Sequence, residues 1–212
     1  VGLADGMPFD PESLSDAERA ALDRFDPTPT WWRRVIVLAV VGGSRALMEG
    51  LNTVEWIGEE VFEEATALGR GVLTFSNHTC LFDDPWLTSC ITPPRWESIR
   101  WIAADALNFF GTPAKATLFN AGRCVPIVRG VGREQPGMAF LAERLQAGDH
   151  VHIFPEGGRS RELEGALQTP FKKGMAQLVQ ESSPLLLPFI HVGMHEVLPI
   201  GARWPRFGQT VR

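Results

Sequence analysis

The chain has 212 residues, 44% hydrophobic and 21% charged, the balance of a folded globular protein and not of a disordered one. That length suits one sizeable domain, and a formal charge of −5 argues against nucleic acid as the main partner. Cys80, Cys90 and Cys124 are too few and too odd in number for a disulfide framework.

Residues 1–30 are polar, acidic and punctuated by proline, with no signal-peptide pattern. Ser15-Asp16-Ala17-Glu18 is a capping-box pattern that opens a short helix to about Arg24. Asp26-Pro27-Thr28-Pro29-Thr30 then breaks it, so this stretch reads as an appendage to a main domain at 31–212. Trp31-Trp32-Arg33-Arg34 leads into the longest apolar run, residues 35–41, which is far short of the ~20 residues needed to span a bilayer. Indoles beside arginines ahead of a short apolar helix, about 31–48, suit a helix lying in a membrane interface. A hydrophobic helix packed on its own domain is the alternative.

Further along, residues 51–56 form a strand candidate and 58–68 a helix with an acidic first turn. Gly71-Val72-Leu73-Thr74-Phe75 reads as a buried strand, followed by a helical continuation from Pro85 to Ser89 that Thr92-Pro93-Pro94 interrupts. Strands are expected at 99–103, 123–128, 150–154 and 185–190, with helices at 135–147 and 173–181. Residues 104–122 form an apolar stretch broken by Gly111 and Pro113, with Phe109-Phe110 and Leu118-Phe119 at its turns. Strands alternating with helices imply an α/β domain, a mixed, mostly parallel sheet flanked by helices.

Three strand ends carry polar clusters: His78 with Asp83, Arg129 with Gly130, and Glu156-Gly157 with Arg159-Ser160. In open α/β sheets ligands gather outside the carboxyl ends of the strands, so three clusters at that place describe a site. Five positions at roughly 100° per residue would rotate His78 and Asp83 about 140° apart on one regular helix. They meet only if His78 lies on the loop and Asp83 near the first helical turn. There the carboxylate orients the imidazole and stabilises its protonated form, as a general base requires. Two other readings stay open: Cys80 as a nucleophile beside His78, and a metal held by His150, His152, His191 and His195. A Gly-x-Ser-x-Gly elbow is missing, so a serine lipase of the α/β-hydrolase kind lacks its main support.

His78 followed by four residues and Asp83 resembles the first signature of the glycerolipid acyltransferase superfamily, which includes the lysophosphatidate acyltransferases. Phe154-Pro155-Glu156-Gly157-Gly158-Arg159-Ser160 resembles its third signature, and Gly122-Arg123-Cys124-Val125-Pro126-Ile127-Val128-Arg129 its second. The strand bearing Pro188 occupies the place of the fourth, and the match runs over roughly residues 50–212. Within the superfamily, Asn77-His78-Thr79-Cys80, Asp83-Asp84-Pro85, His191-Val192-Gly193-Met194 and Pro205-Arg206-Phe207-Gly208-Gln209 are similar to the tafazzins, phospholipid–lysophospholipid transacylases. Gly158-Arg159-Ser160-Arg161 is instead similar to the lysophosphatidate enzymes.

The resemblance implies that His78 takes the proton of a lysolipid hydroxyl while Asp83 holds its tautomer, with no enzyme nucleophile. It assigns Arg129, Glu156, Gly157, Arg159 and Ser160 to the substrate, the arginines to a lipid phosphate. It implies membrane phospholipids and lysophospholipids as partners, as in cardiolipin remodelling, with no cofactor and no metal. Acyl-CoA is the alternative donor, and a catalytically idle lipid-binding module is the reading from another class. The expected location is a membrane surface, peripheral or monotopic, in a bacterial inner membrane or a mitochondrial membrane according to source. Residues 31–48 and the stretch around Phe109 and Phe119 are the candidates for membrane contact.

Overall fold

The computed structural model of the chain describes residues 8–88, 91, 99–160, 167 and 169–212. Ser89, Cys90, the interruption at Thr92-Pro93-Pro94 and Arg161 lie outside the described residues. In chain order the elements are α1 (Asp16–Asp23), α2 (Trp31–Leu51), β1 (Thr53–Val54), α3 (Glu59–Ala67), β2 (Val72–Phe75), a π-helical segment (Asp83–Thr88) and β3 (Trp101–Asp105). There follow α4 (Ala106–Phe110), α5 (Pro113–Ala121), β4 (Cys124–Ile127), α6 (Pro136–Gln146), β5 (His150–Ile153), α7 (Gly174–Ser182), β6 (Leu185–Pro188), α8 (Met194–Val197) and β7 (Thr210–Val211).

Five strands make one sheet in the order β4-β3-β5-β2-β6, and every described ladder in it is parallel. β2 and β5 are buried along both faces, as strands inside a parallel sheet covered by helices are, with His150 and His152 of β5 buried among apolar neighbours. Leu73, Val125 and Val151 pack there against Met138, Leu141 and Leu145 of α6 and Leu178 of α7. Gly71 marks the closest approach of α6 to the sheet: a Cβ there would lie 2.0 Å from the Leu145 carbonyl oxygen. Register sets the level of the carboxyl edge, pairing Phe75 with Ile153 on one side and with Pro188 on the other.

The α/β architecture, the four strands 123–128, 150–154, 185–190 and the one before His78, and the helices near 58, 135 and 173 match the sequence reading. Three places differ. Leu51 completes α2, leaving only Thr53 and Val54 as strand, paired with Thr210 and Val211. Residues 104–122 resolve into two short helices, each opened by a side-chain cap, Asp105 to the Asn108 N–H and Thr112 to the Lys115 N–H. Residues 8–30, expected as an appendage, pack into the domain. The predicted capping box forms, and Leu14 and Ala21 are buried with Phe110 and Ala106. Asn120 ties the end of this segment down by donating to the Arg24 carbonyl and accepting from the Asp26 N–H.

Helix α2 buries a stripe of Arg33, Val37, Val41, Ser44 and Met48 at intervals of three or four residues. Arg33 donates there to the Asp26 and Thr28 carbonyls and to the Asp26 carboxylate at 2.7 Å. Those bonds from Arg33, with help from Thr28, bring the Asp26 carboxyl down to about 2. α2 packs on the π-helical segment, with Met48 in one cluster with Cys80 and Trp86. No helix among the described residues is long and apolar enough to cross a membrane.

Asp84, beside the candidate dyad, faces Arg100 in a bidentate ion pair, one arm of which is 2.8 Å. It joins the π-helical segment to the start of β3, and Arg100 also donates to the Gly122 carbonyl. The Arg100 side chain is only 9% exposed, so removing its partner strands a buried charge. Asp84→Asn is expected to lower stability by about 3–5 kcal/mol in urea unfolding. A loss under about 0.5 kcal/mol, the scale of an exposed pair, would show that the pair does not anchor the segment.

Candidate active site

Where β2 ends, the chain turns inward. Asn77 is fully buried and clasps His191, the residue three past the end of β6. Its Nδ2 donates to the His191 carbonyl at 2.9 Å, and its Oδ1 accepts the His191 N–H at 3.0 Å. The His191 ring closes the clasp through Nε2, 2.9 Å from the Asn77 carbonyl oxygen. A carbonyl only accepts, so Nε2 carries the proton. Burial, outweighing the nearby Asp83 charge, holds the His191 pKa below its ordinary value.

His78 follows on the loop, and Asp83 is the first residue of the π-helical segment. His78 Nδ1 lies 2.9 Å from Asp83 Oδ2. The same oxygen accepts the Thr79 N–H at 2.5 Å and the Cys80 N–H at 2.8 Å, and His191 Nε2 stands 3.7 Å away. The chain between the two residues therefore wraps round the carboxylate, which is 1% exposed. Because Oδ2 accepts, the His78 proton sits on Nδ1 and the Nε2 lone pair is left to act as base. The side chain of His78 is 19% exposed, open enough to meet a substrate.

The loop after β5 locks onto this turn. Glu156 Oε1 accepts the His78 N–H at 2.8 Å, and the Ser160 N–H donates to the His78 carbonyl at 2.6 Å. Phe154 stacks under the imidazole, ring centroids 4.0 Å apart at 15°. Gly157 has φ +68°, a left-handed conformation that favours glycine at this turn. His78, Asp83, Glu156, Gly157 and Ser160 are thus brought together, with Arg159 exposed on the same loop.

Arg129 is not gathered with them. It follows β4, separated from β2 by β3 and β5, and at roughly 4.8 Å per strand that is about 14 Å. Its side chain is exposed and paired with Asp105 at the end of β3, Nε to Oδ2 2.9 Å.

The alternatives meet physical obstacles. Cys80 is 1% exposed, and burial, reinforced by the Asp83 charge, pushes its thiol up to about 12. So little thiolate exists at neutral pH that it is a poor nucleophile. His150 and His152 both turn to the Thr74 hydroxyl between them, at 2.7 and 2.9 Å.

Sequence reasoning missed the Asn77–His191 clasp, which joins residues 114 apart. It also missed Asp105 as the partner of Arg129. The motif quoted around His191 was the one available signal, and it carried no geometry.

A family model described as Acyltransferase matches residues 53–192. Among curated proteins the chain is similar to "Tafazzin" of Drosophila melanogaster, 30% identical over 184 residues, covering 82% of this chain and 48% of that protein. It is similar to "Taffazin" of Dictyostelium discoideum, 31% identical over 178 residues, covering 77% and 61%. It is also similar to "N-acylphosphatidylethanolamine synthase" of Arabidopsis thaliana, 32% identical over 142 residues, covering 62% and 47%. The chain therefore spans about half to three fifths of the curated relatives it matches.

The buried histidines make stability sensitive to acid. Burial lowers the pKa of both His152 and His191 below 6.5 in the folded state. Below about pH 6.5 the unfolded chain takes up protons that the folded one refuses, so stability falls as pH falls. Each histidine adds up to about 1.4 kcal/mol per pH unit in that window, with little effect above it. Urea unfolding from pH 8 to 5 reads this slope, and His152→Gln is expected to reduce it. A flat profile down to pH 5 would contradict neutral burial.

Proposed function

The chain belongs to the acyltransferase family, and from that premise we propose that it moves fatty acyl groups onto the hydroxyl of a lysophospholipid. The reading is tafazzin-like transacylation between a phospholipid and a lysophospholipid, as in cardiolipin remodelling. The observation that carries it is the His78–Asp83 pair, with Nδ1 committed to a buried carboxylate and Nε2 available.

In this mechanism His78 Nε2 removes the proton of the acceptor hydroxyl as the oxygen attacks the donor's ester carbonyl. Asp83 keeps the ring in the correct tautomer and stabilises the imidazolium. When the tetrahedral intermediate collapses, the departing lysolipid oxygen takes the proton back. One ester bond forms, one breaks, and base help of this kind contributes about 100- to 10,000-fold in rate. Glu156 and Ser160 act first on His78 itself, fixing its main chain; Gly157 shapes their turn. Arg159 suits the lipid phosphate, because a guanidinium offers paired donors, and Arg129 suits it at longer range.

Access to the substrates is assigned to the bilayer surface. Trp31 and Val35 of α2 are exposed opposite the stripe that packs on the segment carrying Asp83, and Val40, Leu47 and Leu51 are exposed beside it and at the helix end. Such a helix suits a monotopic, in-plane attachment. Phe109 and Phe119, the second candidates, are half-buried and stack edge to face against the core at 4.6 Å, and Leu107 and Leu118 of the same stretch are the exposed ones. Acyl-CoA as donor is the second reading, favoured by Gly158-Arg159-Ser160 in place of the tafazzin pattern.

Purified protein given labelled phospholipid and lysophospholipid without a thioester is expected to transfer label. Transfer only after adding acyl-CoA would replace the transacylase reading by the second one. His78→Ala is expected to keep the unfolding midpoint and lose at least about 100-fold in turnover. Unchanged turnover would defeat His78 as the base, and no transfer by the wild type with either donor would leave the fold as an idle lipid-binding module. Asp83→Asn is expected to lose about 100- to 10,000-fold, and Cys80→Ser less than about threefold.

A further inference from the structure

We infer that residues 200–207 form a second bilayer-docking element, one that recognises anionic lipid headgroups beside the end of α2. The inference rests on the reading that the enzyme works at a membrane surface. Between Pro199 and Arg212 the sequence places three arginines and no Asp or Glu, in a chain whose net charge is −5. Arg212 is taken up by Glu55 at 2.6 Å. Arg203 and Arg206 are exposed, and neither makes an ion pair among the described residues. Between and beside them stand Trp204, 80% exposed, with Ile200 and Phe207, each 49% exposed.

This surface is held in place, not left as a loose tail. The Ala202 N–H donates to the Pro199 carbonyl at 2.9 Å and the Arg206 N–H to the Val197 carbonyl at 2.7 Å. The Gly208 N–H donates to the Leu51 carbonyl at 2.7 Å, and β7 pairs with β1 directly after. Those bonds stop the apolar side chains from folding back into the core. They also set Phe207 next to the last turn of α2, where Leu47 and Leu51 are exposed, so two apolar surfaces meet at one end of that helix.

Alternating arginine and aromatic side chains fit one partner in particular. Indole and phenyl rings insert at headgroup depth, while guanidinium groups pair with phosphates beside them. Two unpaired cations on an acidic protein add attraction specific to an anionic leaflet, worth about fivefold in partitioning per arginine. The acidic remainder of the chain is repelled by that leaflet, so the patch also sets which side faces it.

Vesicle sedimentation of the full chain tests this, with phosphatidylcholine alone and with phosphatidylcholine containing phosphatidylglycerol. R203Q/R206Q is expected to bind phosphatidylglycerol vesicles about 10- to 25-fold more weakly and phosphatidylcholine vesicles unchanged. W204A/F207A is expected to weaken both by about tenfold or more. Both variants should keep the wild-type unfolding midpoint and wild-type transfer on detergent-dispersed lipids, where no leaflet is needed. Wild-type binding of either variant to phosphatidylglycerol vesicles would overturn the inference. Absence of transfer by the wild type in detergent, with these binding differences intact, would overturn the enzymatic reading and leave the docking element standing.

Discussion

An ionised carboxylate held 1% exposed costs several kcal/mol unless hydrogen bonds replace its water, and Asp83 offsets that cost through one oxygen, Oδ1 being buried without a hydrogen bond among the described residues. Oδ2 gathers the His78 ring N–H and two successive backbone N–H groups from Thr79 and Cys80. Those donors converge only if the chain from 78 to 80 curls round the carboxylate, which a regular helix does not allow. The five-residue spacing of the pair is the length of that curl. Burial therefore does more than shield the acid: it dictates the loop, the loop fixes the imidazole, and the imidazole is left with one nitrogen facing outward.

The sheet supplies what the loop cannot hold alone. Phe75, Ile153 and Pro188 stand at one level across three neighbouring parallel strands. Three residues beyond each come His78, Glu156 and His191, and all three meet around the same turn. Glu156 and Ser160 grip the two peptide groups of His78, while His191 pins the residue before it, Asn77. Below the turn, Met48 of α2 packs with Cys80 and Trp86. The same helix thus presents one face to the segment carrying Asp83 and the other outward.

What the sequence disclosed follows a simple division. Contacts within about ten residues were legible: the strand before His78, the capping box at Ser15, and the meeting of His78 with Asp83 at a strand-to-helix turn. Mostly apolar runs bounded by turn residues located the parallel strands, the central β2 and β5 being buried on both faces. Contacts across the fold were not legible. Asn77 with His191, Asp84 with Arg100, and Arg24 with Asn120 join residues whose local sequences say nothing of one another. Polarity misled at the N-terminal segment, since buried Leu14 and Ala21, with Phe9, Leu22 and Phe25 packed beside them, dock it despite its acidic surface.

The two arginines assigned to phosphate in the sequence are not equivalent once their surroundings are known. Arg129 already holds Asp105, so an anion arriving there competes with a carboxylate at 2.9 Å. It also stands two strands beyond the one that carries Glu156. Arg159 is next to Ser160, whose N–H bonds the His78 carbonyl, and it is exposed on the loop that stacks Phe154 against the base. In the proposed reaction a phosphate held by Arg159 lies on the loop bonded to the His78 main chain, and a hydroxyl a few bonds from that phosphate is carried toward Nε2. Positioning of this kind lowers the barrier by prior loss of freedom rather than by added contact energy. In the proposed reaction the third-signature loop is a support for the base and a handle for the substrate at once.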